Sequence, residues 1–378
     1  MFACFATTNK GLESLLKTEI EQLGAESCVI VNAGLQFQAD LNTIMKINLH
    51  SRLASRVMLQ VAFGGYRYED DIYNICHKIK WHEWFHVGNR LKVATSAINS
   101  PLKSLEFITL KVKDAICDYF MDMVDARPNI NKQNPDVRIY NFLTNDTVTI
   151  YLDTSGEALF KRGYRQNHLE APIKENLAAG LIKLSNWQNH MPFYDPMCGS
   201  GTIVMEAISM GLNIAPGLNR HFGFEKLEHF NLNHFKQLKE QAESAISYNT
   251  PLKIYANDIN HRAISVMRDN LAIAKLTKYV KISSGDFLEQ SAPEGRGILL
   301  CNPPYGIRLD EQEKLAEFYP LLGHQLKRNF TGWDCYFFSA DMSLPKLIRL
   351  KVNRKTPLYN GALDCRLFEF KMVSGSNR

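Results

Sequence analysis

The sequence predicts an α/β protein in which a mostly parallel sheet follows two smaller α+β units. Three observations support this fold class. Residues 193–208 have the pattern of a short buried strand, a glycine turn and a helix. Three more apolar strands follow, at separations long enough for the helical crossovers that parallel pairing requires. Residues 1–65 instead alternate in the order βαββαβ, which is the ferredoxin-like pattern.

The glycine turn lies in the run Asp195-Pro196-Met197-Cys198-Gly199-Ser200-Gly201-Thr202. Gly199 and Gly201 leave room for a ligand to approach the main chain, and the amides at the start of the next helix can face an anionic group. A dinucleotide-binding fingerprint would need a third glycine and an acidic residue about 20 residues further on. Because the sequence has neither, it predicts another nucleotide-type ligand at the carboxyl ends of the strands.

Polar residues follow the next two strands. The strand at 253–258 ends in Asn257 and Asp258, and the Asp258 carboxylate can accept two hydrogen bonds from a ribose diol. The third strand is followed by Asp286, which can accept from an exocyclic adenine amine, while Phe287 offers an apolar face. The alternatives are a solvated or helix-capping acid at position 258 and a surface turn at 286–287.

The fourth strand ends in Asn302-Pro303-Pro304-Tyr305, a loop suited to recognising an amine. An amino group conjugated to a purine ring is a poor nucleophile, because its lone pair is delocalised into the ring. The Asn302 side-chain oxygen can accept from one N–H, and the Pro303 carbonyl, in a loop stiffened by Pro304, can accept from the other. Tyr305 offers a flat face for a base, and such stacking is typically worth about 1–3 kcal/mol. Catalysis would then consist mostly of aligning the nitrogen with a methyl donor, and it would need no metal.

In this order, DPMCGSGT and NPPY resemble the class I S-adenosylmethionine-dependent amino-methyltransferases. The resemblance implies a Rossmann-like, mostly parallel seven-stranded sheet, S-adenosylmethionine as cofactor, and a catalytic loop made of Asn302, Pro303, Pro304 and Tyr305. It also implies a cofactor site formed by Asp195, Pro196, Met197, Cys198, Gly199, Gly201, Thr202, Asn257, Asp258, Asp286, Phe287 and Asn302. The Asn-Pro-Pro-Tyr loop is shared by adenine-N6, guanine-N2 and glutamine methyltransferases, so the acceptor stays open.

The segment between the ferredoxin-like pattern and the glycine turn carries helix signals, a strand and a hairpin with period-two alternation at 137–152. This block and its exit at 152–165 resemble a THUMP domain, the RNA-binding module of several RNA-modifying enzymes. Residues 171–179 resemble the helix that packs beside the cofactor in THUMP-linked methyltransferases. We therefore expect a ferredoxin-like subdomain at 1–65, a THUMP domain at 66–158 and a methyltransferase domain at 159–378, in which 159–180 form the linker and the cofactor-flanking helix.

Over nearly its whole length the chain resembles the RlmL-like group of 23S ribosomal RNA guanine-N2 methyltransferases. That group often carries a second methyltransferase domain, whereas this sequence stops at Arg378, so one catalytic domain is expected. The resemblance implies methylation of the N2 amine of a guanine in RNA. The alternatives are a transfer RNA guanine-N2 enzyme, an adenine-N6 nucleic-acid methyltransferase, and a non-catalytic RNA-binding factor for ribosome assembly.

Composition agrees with a soluble protein of two or three domains. The chain has 378 residues, 45% of them hydrophobic, without a long uncharged apolar stretch or an amino-terminal signal pattern. We expect a cytoplasmic protein without membrane association; nothing in the sequence specifies an oligomeric state. The eight cysteines are dispersed, which favours reduced thiols, and Cys198 and Cys301 are interpreted as packing residues. The histidines at 221–234 lack partner cysteines, so no metal site is expected.

The net charge of +5 is concentrated in the C-terminal part of the chain, and residues 1–155 are close to neutral. RNA contact therefore has to come from local basic patches. The candidate cluster is Lys161, Arg162 and Arg165 in the linker. Lys111 and Lys113 are better explained as a solvated helix face.

Overall fold

The computed structural model describes residues 1–164, 173–304 and 309–373. In the first of these ranges the strands and helices are β1 (Phe2–Thr7), α1 (Glu13–Gln22), β2 (Glu26–Val31), β3 (Gly34–Ala39), α2 (Leu41–His50), β4 (Arg56–Gly65), α3 (Glu69–His77), β5 (Leu91–Ala97), α4 (Leu105–Val124), β6 (Val137–Leu143) and β7 (Thr147–Asp153). In the other two they are α5 (Glu175–Leu184), β8 (Phe193–Asp195), α6 (Thr202–Gly211), α7 (Leu232–Ser244), β9 (Ile254–Asp258), α8 (His261–Ile273), β10 (Val280–Ser284), β11 (Ile298–Cys301), α9 (Leu309–Asn329), β12 (Asp334–Ser339), α10 (Leu344–Leu347), β13 (Arg354–Asn360) and β14 (Leu363–Lys371).

The first seven strands form one sheet in the order β2-β3-β1-β4-β7-β6-β5. Its first four strands, with α1 and α2, have the ferredoxin-like βαββαβ arrangement that the sequence predicts. The Asp40 side chain caps α2 by accepting from the Thr43 amide at 2.7 Å, as expected for an acid just before a helix. β4 pairs antiparallel with β7, from Met58 opposite Asp153 onwards, so the two predicted N-terminal units share a continuous sheet. Hydrophobic periodicity in the sequence indicates which residues are buried. It does not indicate that β4 pairs with β7.

The compact unit around the first sheet comprises Met1–Thr8, Leu16–Leu159 and Asn219–Gln241. The last of these segments comes from the crossover after α6, which the sequence analysis places in the methyltransferase domain. Its Phe222 and Phe224 rings stack at 5.2 Å between centroids. The Arg220 guanidinium donates to carbonyls of the turn after β7, including that of Ala158 at 2.8 Å. Domain boundaries drawn along the sequence therefore differ from the spatial units.

The second sheet has the order β10-β9-β8-β11-β12-β14-β13. β8 pairs in parallel with β9 on one side and with β11 on the other. β14 runs antiparallel between β12 and β13. The strand order therefore reverses at β8. Ligands of open α/β sheets bind at the carboxyl ends of the strands at such a switch point.

The compact unit around the second sheet comprises Asn9–Leu15, Phe160–Leu218 and Ala242–Arg378. α9 buries Tyr319, Leu322 and Leu326 in a cluster that also contains Trp333 of the loop before β12 and Phe337 of β12. The loop between β1 and α1 belongs to this unit as well, because a Cβ at Gly180 of α5 would overlap the Leu12 side chain. None of the helices in the described ranges combines the length and the apolar character that crossing a membrane requires.

A substitution at Gly323 of α9 tests how tightly this unit is packed. A Cβ at Gly323 would overlap the backbone carbonyl of Ile348, which cannot rotate away. We expect Gly323→Ala to lower the free energy of unfolding by about 1–3 kcal/mol, as overpacking does in cores. Gly211→Ala is the control, because that Cβ would meet the movable end of the Leu252 side chain at 2.7 Å. Chemical denaturation measures both, and equal stability of the two variants would contradict the packing argument.

Candidate active site

The predicted site residues follow neighbouring strands of the second sheet. Asp195 ends β8, Asp258 ends β9, and Asn302 follows β11. In the parallel register Asp195 lies opposite Ala256, and Asp258 lies opposite Ser284 at the end of β10. Adjacent strands are about 4.8 Å apart, so the four strand ends form one polar edge. The structure thus brings together residues that are more than a hundred positions apart in sequence.

The glycine turn is held by the end of β9. The Cys198 amide donates to the Asn257 carbonyl at 3.0 Å, and the Gly199 amide donates to the Asp258 carboxylate at 2.8 Å. Gly199 and Gly201 both have left-handed backbone conformations, with φ of +53° and +85°. A Cβ at Gly199 would have nothing within 4 Å, whereas a Cβ at Gly201 would overlap Met267 of α8. The open space at Gly199 fits a ligand that approaches the main chain, and Gly201 allows close packing of α8.

Asp195 is buried, with a relative exposure of 1%, and accepts from the Met197 amide at 3.3 Å. Burial raises the pKa of the Asp195 carboxyl well above its usual range, and the nearby negative charge of Asp258 acts in the same direction. Burial likewise raises the pKa values of the Cys198 and Cys301 thiols. Both thiols therefore stay protonated near neutral pH, which agrees with packing roles.

Asp258 is half-buried and retains capacity for a ligand. One carboxylate oxygen accepts from Gly199, and the other accepts from the Asn260 amide at 2.8 Å. Each oxygen has two lone pairs, so each can accept one further hydrogen bond, as a ribose diol requires. Asn260 also caps α8 by accepting from the Arg262 amide at 3.0 Å.

Asn257 is fully buried, and its polar atoms bond within the protein. The side-chain NH₂ donates to the carbonyls of Gly285 at 2.9 Å and Pro196 at 3.3 Å. The side-chain oxygen accepts from the Ser283 hydroxyl at 3.0 Å. Asn257 therefore joins the loops after β8 and β10, and its side chain is not placed for the direct cofactor contact that we expected.

The structure corrects the expectation for Phe287. Its ring is 3% exposed and packs in the core against Tyr194 and Phe330, with centroids 6.1 Å and 5.3 Å away, so it offers little surface to an adenine. Asp286 is half-buried, and one of its oxygens accepts from the Leu288 amide at 2.9 Å. Ile259, which follows the acid at the end of β9, is 66% exposed and offers an apolar side chain that the sequence analysis missed.

The described part of the loop after β11 contains a buried polar acceptor. The Asn302 side-chain oxygen is buried and has no hydrogen-bond partner among the described residues. Pro303 is buried, Pro304 is exposed, and the Pro304 carbonyl accepts from the Tyr319 hydroxyl at 3.4 Å. Tyr305 lies outside the described residues. Because buried polar atoms are nearly always hydrogen-bonded, this oxygen is available to a donor outside the described residues.

The predicted RNA-binding cluster needs a correction at Arg162. Its side chain is 3% exposed, and its Nε lies 3.4 Å from Oε1 of the buried Glu206 in α6. The Tyr164 hydroxyl donates to the same oxygen at 2.8 Å. A guanidinium buried in this way does not reach an RNA phosphate. Lys161 is exposed, and Arg165 lies outside the described residues.

The lysines of α4 are paired with acids, which agrees with a solvated helix face. Lys111 lies 2.7 Å from Asp70, and Lys113 lies 2.6 Å from Asp114. No cluster of three or more potential metal ligands occurs among the described residues. Independence of the reaction from a metal stays a prediction.

Three parts of the chain match known protein families. Residues 162–369 match the model of the RMKL-like methyltransferase domain, 66–153 match that of the THUMP domain, and 3–58 match that of the RlmL ferredoxin-like domain. The chain is 36% identical, over 98% of its length, to ribosomal RNA large subunit methyltransferase K/L of Photobacterium profundum. The alignment covers 53% of that protein, so the chain spans about half the length of this curated relative.

Two solved structures are similar over almost the whole chain. SMU.472, crystallised with S-adenosylhomocysteine (SAH), has a TM-score of 0.89 at 30% identity, covering 98% of each chain. A protein from Listeria monocytogenes str. 4b F2365, named as an N6-adenine-specific DNA methylase, has a TM-score of 0.89 at 30% identity, covering 98% of this chain and 96% of that one.

The fold and the polar edge define a class I S-adenosylmethionine-dependent methyltransferase, preceded by ferredoxin-like and THUMP domains. The chain belongs to the family of RMKL-like methyltransferase domains. The predictions of fold class, THUMP domain and cofactor are thereby confirmed. The roles of individual site residues and the domain boundaries stay predictions.

Asp258 is the residue through which we test the cofactor site. Asp258→Ala removes the acceptor proposed for the ribose and leaves the Gly199 amide without its partner. We expect SAH affinity to fall by about 10- to 100-fold, as when a hydrogen bond to a charged group is lost. Isothermal titration calorimetry measures this. Asp269→Ala is the control, since Asp269 is an exposed acid on α8, and equal affinities of the two variants would refute the assignment.

Proposed function

We propose that this protein transfers a methyl group from S-adenosylmethionine to the exocyclic N2 amine of a guanine in RNA, with 23S ribosomal RNA as the substrate. The observation that carries the proposal is the buried side-chain oxygen of Asn302, which has no partner among the described residues. An amine N–H of the substrate would supply a donor to this oxygen. The cytoplasmic location that we expect for the protein is part of the same proposal.

The residues of the polar edge fit the proposed cofactor. Asp258 can accept from the ribose hydroxyls, the second oxygen of Asp286 can accept from the adenine amine, and Ile259 offers an apolar side chain. The space at Gly199 admits the methionyl part next to the main chain. When bound, S-adenosylmethionine supplies a methyl group on a sulfonium, from which transfer to an amine is downhill.

The chain's own contribution to the chemistry is alignment. Asn302 Oδ1 and the Pro303 carbonyl accept no hydrogen bond from a described residue, so both can accept from the two N–H bonds of one amine. Donation to both acceptors draws the nitrogen out of conjugation and presents its lone pair. The surplus proton leaves after the methyl has moved. This scheme requires no nucleophilic thiol, and the protonated Cys198 and Cys301 agree with that.

RNA as the substrate is supported by the THUMP domain at 66–153 and by the ribosomal RNA named for the Photobacterium relative. Reaching the N2 amine requires the guanine to leave its stack, which costs roughly a few kcal/mol and least where the base is already unpaired. A loop or partly opened helix is therefore the proposed target. Adenine N6 is a second candidate, because the Listeria neighbour is named for that reaction.

Replacement of Asn302 tests the catalytic assignment. We expect Asn302→Ala to lower turnover by roughly 100- to 1000-fold, the usual loss when one preorganised catalytic hydrogen-bonding group is removed. SAH binding should be largely retained. Asn353→Ala is the control, because Asn353 accepts from the Lys371 amide at the opposite end of the sheet. Turnover is measured by transfer of labelled methyl to unmodified 23S ribosomal RNA, and normal turnover by Asn302→Ala would refute the role.

The identity of the methylated nucleoside distinguishes guanine N2 from adenine N6 as the methyl acceptor. After digestion of methylated RNA to nucleosides, mass spectrometry is expected to show N2-methylguanosine. N6-methyladenosine would instead support the adenine reaction, and product only on transfer RNA would move the substrate to that class. Absence of labelled product on every RNA, with SAH bound normally, would support a non-catalytic assembly factor.

A further inference from the structure

α9 contacts two different loops of the polar edge. Near its middle, the Tyr319 hydroxyl donates to the Pro304 carbonyl in the loop after β11, at 3.4 Å. Two turns later, the Gln325 side-chain NH₂ donates to the carbonyls of Phe287, at 3.1 Å, and Gln290. Those carbonyls belong to the short turn that follows Asp286. One helix therefore holds both the proposed amine-binding loop and the proposed adenine-binding turn.

Tyr319 lies between the loop after β11 and the end of β12. The Tyr319 side chain is fully buried, and the Ser339 side chain lies near its hydroxyl. Ser339 ends β12, and its hydroxyl oxygen accepts from the Asp341 amide at 3.0 Å. Burial raises the pKa of Tyr319 well above its usual range, so the phenol stays a neutral donor at working pH. The peptide after Asn302 and Pro303 is thus contacted by one buried hydroxyl of α9.

Gln325 is held in one orientation. Its side-chain oxygen accepts from the Asn329 NH₂ at 2.8 Å, one helical turn away. This bond leaves both N–H groups of Gln325 directed at the turn after β10. The residue is 7% exposed, and its amide is fully used in these contacts. A buried amide that satisfies two carbonyls of an otherwise irregular turn restricts the positions that the turn can adopt.

α9 itself is rigidly packed. Leu322, Leu326 and Phe330 of the same region are fully buried in the hydrophobic cluster. Gly323 lies in close contact with the Ile348 carbonyl. A helix fixed in this way transmits its position to every group that it bonds. The loop after β11 and the turn after β10 are therefore both hydrogen-bonded to the same packed helix.

We propose that Tyr319 and Gln325 are positioning residues of the methyl-transfer reaction. Tyr319 orients the acceptors of the loop after β11 towards the amine, and Gln325 orients Asp286 towards the adenine of the cofactor. The inference rests on the proposed function. It assigns the two residues different kinetic effects, because one acts on the reacting amine and the other on cofactor binding.

Tyr319→Phe removes the hydroxyl and keeps the ring in the core. We expect kcat to fall about tenfold, since misplacement of catalytic groups by less than 1 Å costs rate, while KM for S-adenosylmethionine and Kd for SAH stay unchanged. Tyr279→Phe is the matched control. Its hydroxyl donates to the Tyr248 carbonyl at 2.9 Å, and Tyr279 precedes β10 at the opposite end of the sheet. This control loses the same kind of hydrogen bond and should keep its kcat.

Gln325→Met keeps the side-chain volume and removes the amide. We expect KM for S-adenosylmethionine and Kd for SAH to rise about tenfold, with kcat at saturating cofactor unchanged. Asn329→Ala removes the donor that holds the Gln325 side-chain oxygen, and Asn329 is less buried than Gln325. We expect this variant to raise KM for S-adenosylmethionine and Kd for SAH by a smaller factor. Circular dichroism measures the folded fraction of each variant. If Gln325→Met is partly unfolded, Asn329→Ala still tests the role of Gln325.

The outcomes separate the inference from the proposed function. A kcat effect for Tyr319→Phe together with a KM effect for Gln325→Met supports the inference. It is overturned if Tyr319→Phe behaves like Tyr279→Phe, or if all variants lower kcat and raise KM in parallel with their loss of stability. Asn302→Ala is assayed in the same series to test the proposed function separately. Normal turnover by Asn302→Ala would reject the proposed chemistry itself.

Discussion

The hydrogen bond from the Gly199 amide to the Asp258 carboxylate joins the turn after β8 to the end of β9. Around it, the Cys198 amide bonds to Asn257, and the Asn257 side chain bonds onwards to the loop after β10. These bonds bring three strand ends to one edge while leaving carboxylate lone pairs and the space at Gly199 for a ligand. This arrangement is the basis of the cofactor site that we propose at the switch point.

The polar groups of this edge divide into two kinds. Asn257 and Gln325 are fully hydrogen-bonded within the protein and support the loops. Asn302 has a buried side-chain oxygen without a partner in the part of the chain that the structure describes, and leaving such an acceptor unpaired costs stability. The division separates the side chains whose hydrogen bonds support the loops from the side chain that we propose contacts the substrate.

The two spatial units do not follow the order of the chain. The loop at 9–15 packs with the methyltransferase sheet, and residues 219–241 pack with the THUMP and ferredoxin-like strands. A cut at the linker would therefore remove Leu12 from its contact with α5 and leave the aromatic residues around Phe224 without their surroundings. Single substitutions in the full chain test the site more cleanly than isolated domains would.

The sequence by itself determined the class of the protein, because local chemistry carries that information. Glycines that need left-handed φ, acids at strand ends and the Asn-Pro-Pro loop are all readable from residue order, as are the caps at Asp40 and Asn260. Only the tertiary structure decided that Arg162 is buried against Glu206, that the Phe287 ring lies in the core, and that β4 pairs with β7. It also revealed Tyr319 and Gln325. Burial and partnership depend on residues distant in the chain, and no local pattern encodes which partner a charge or an amide will find.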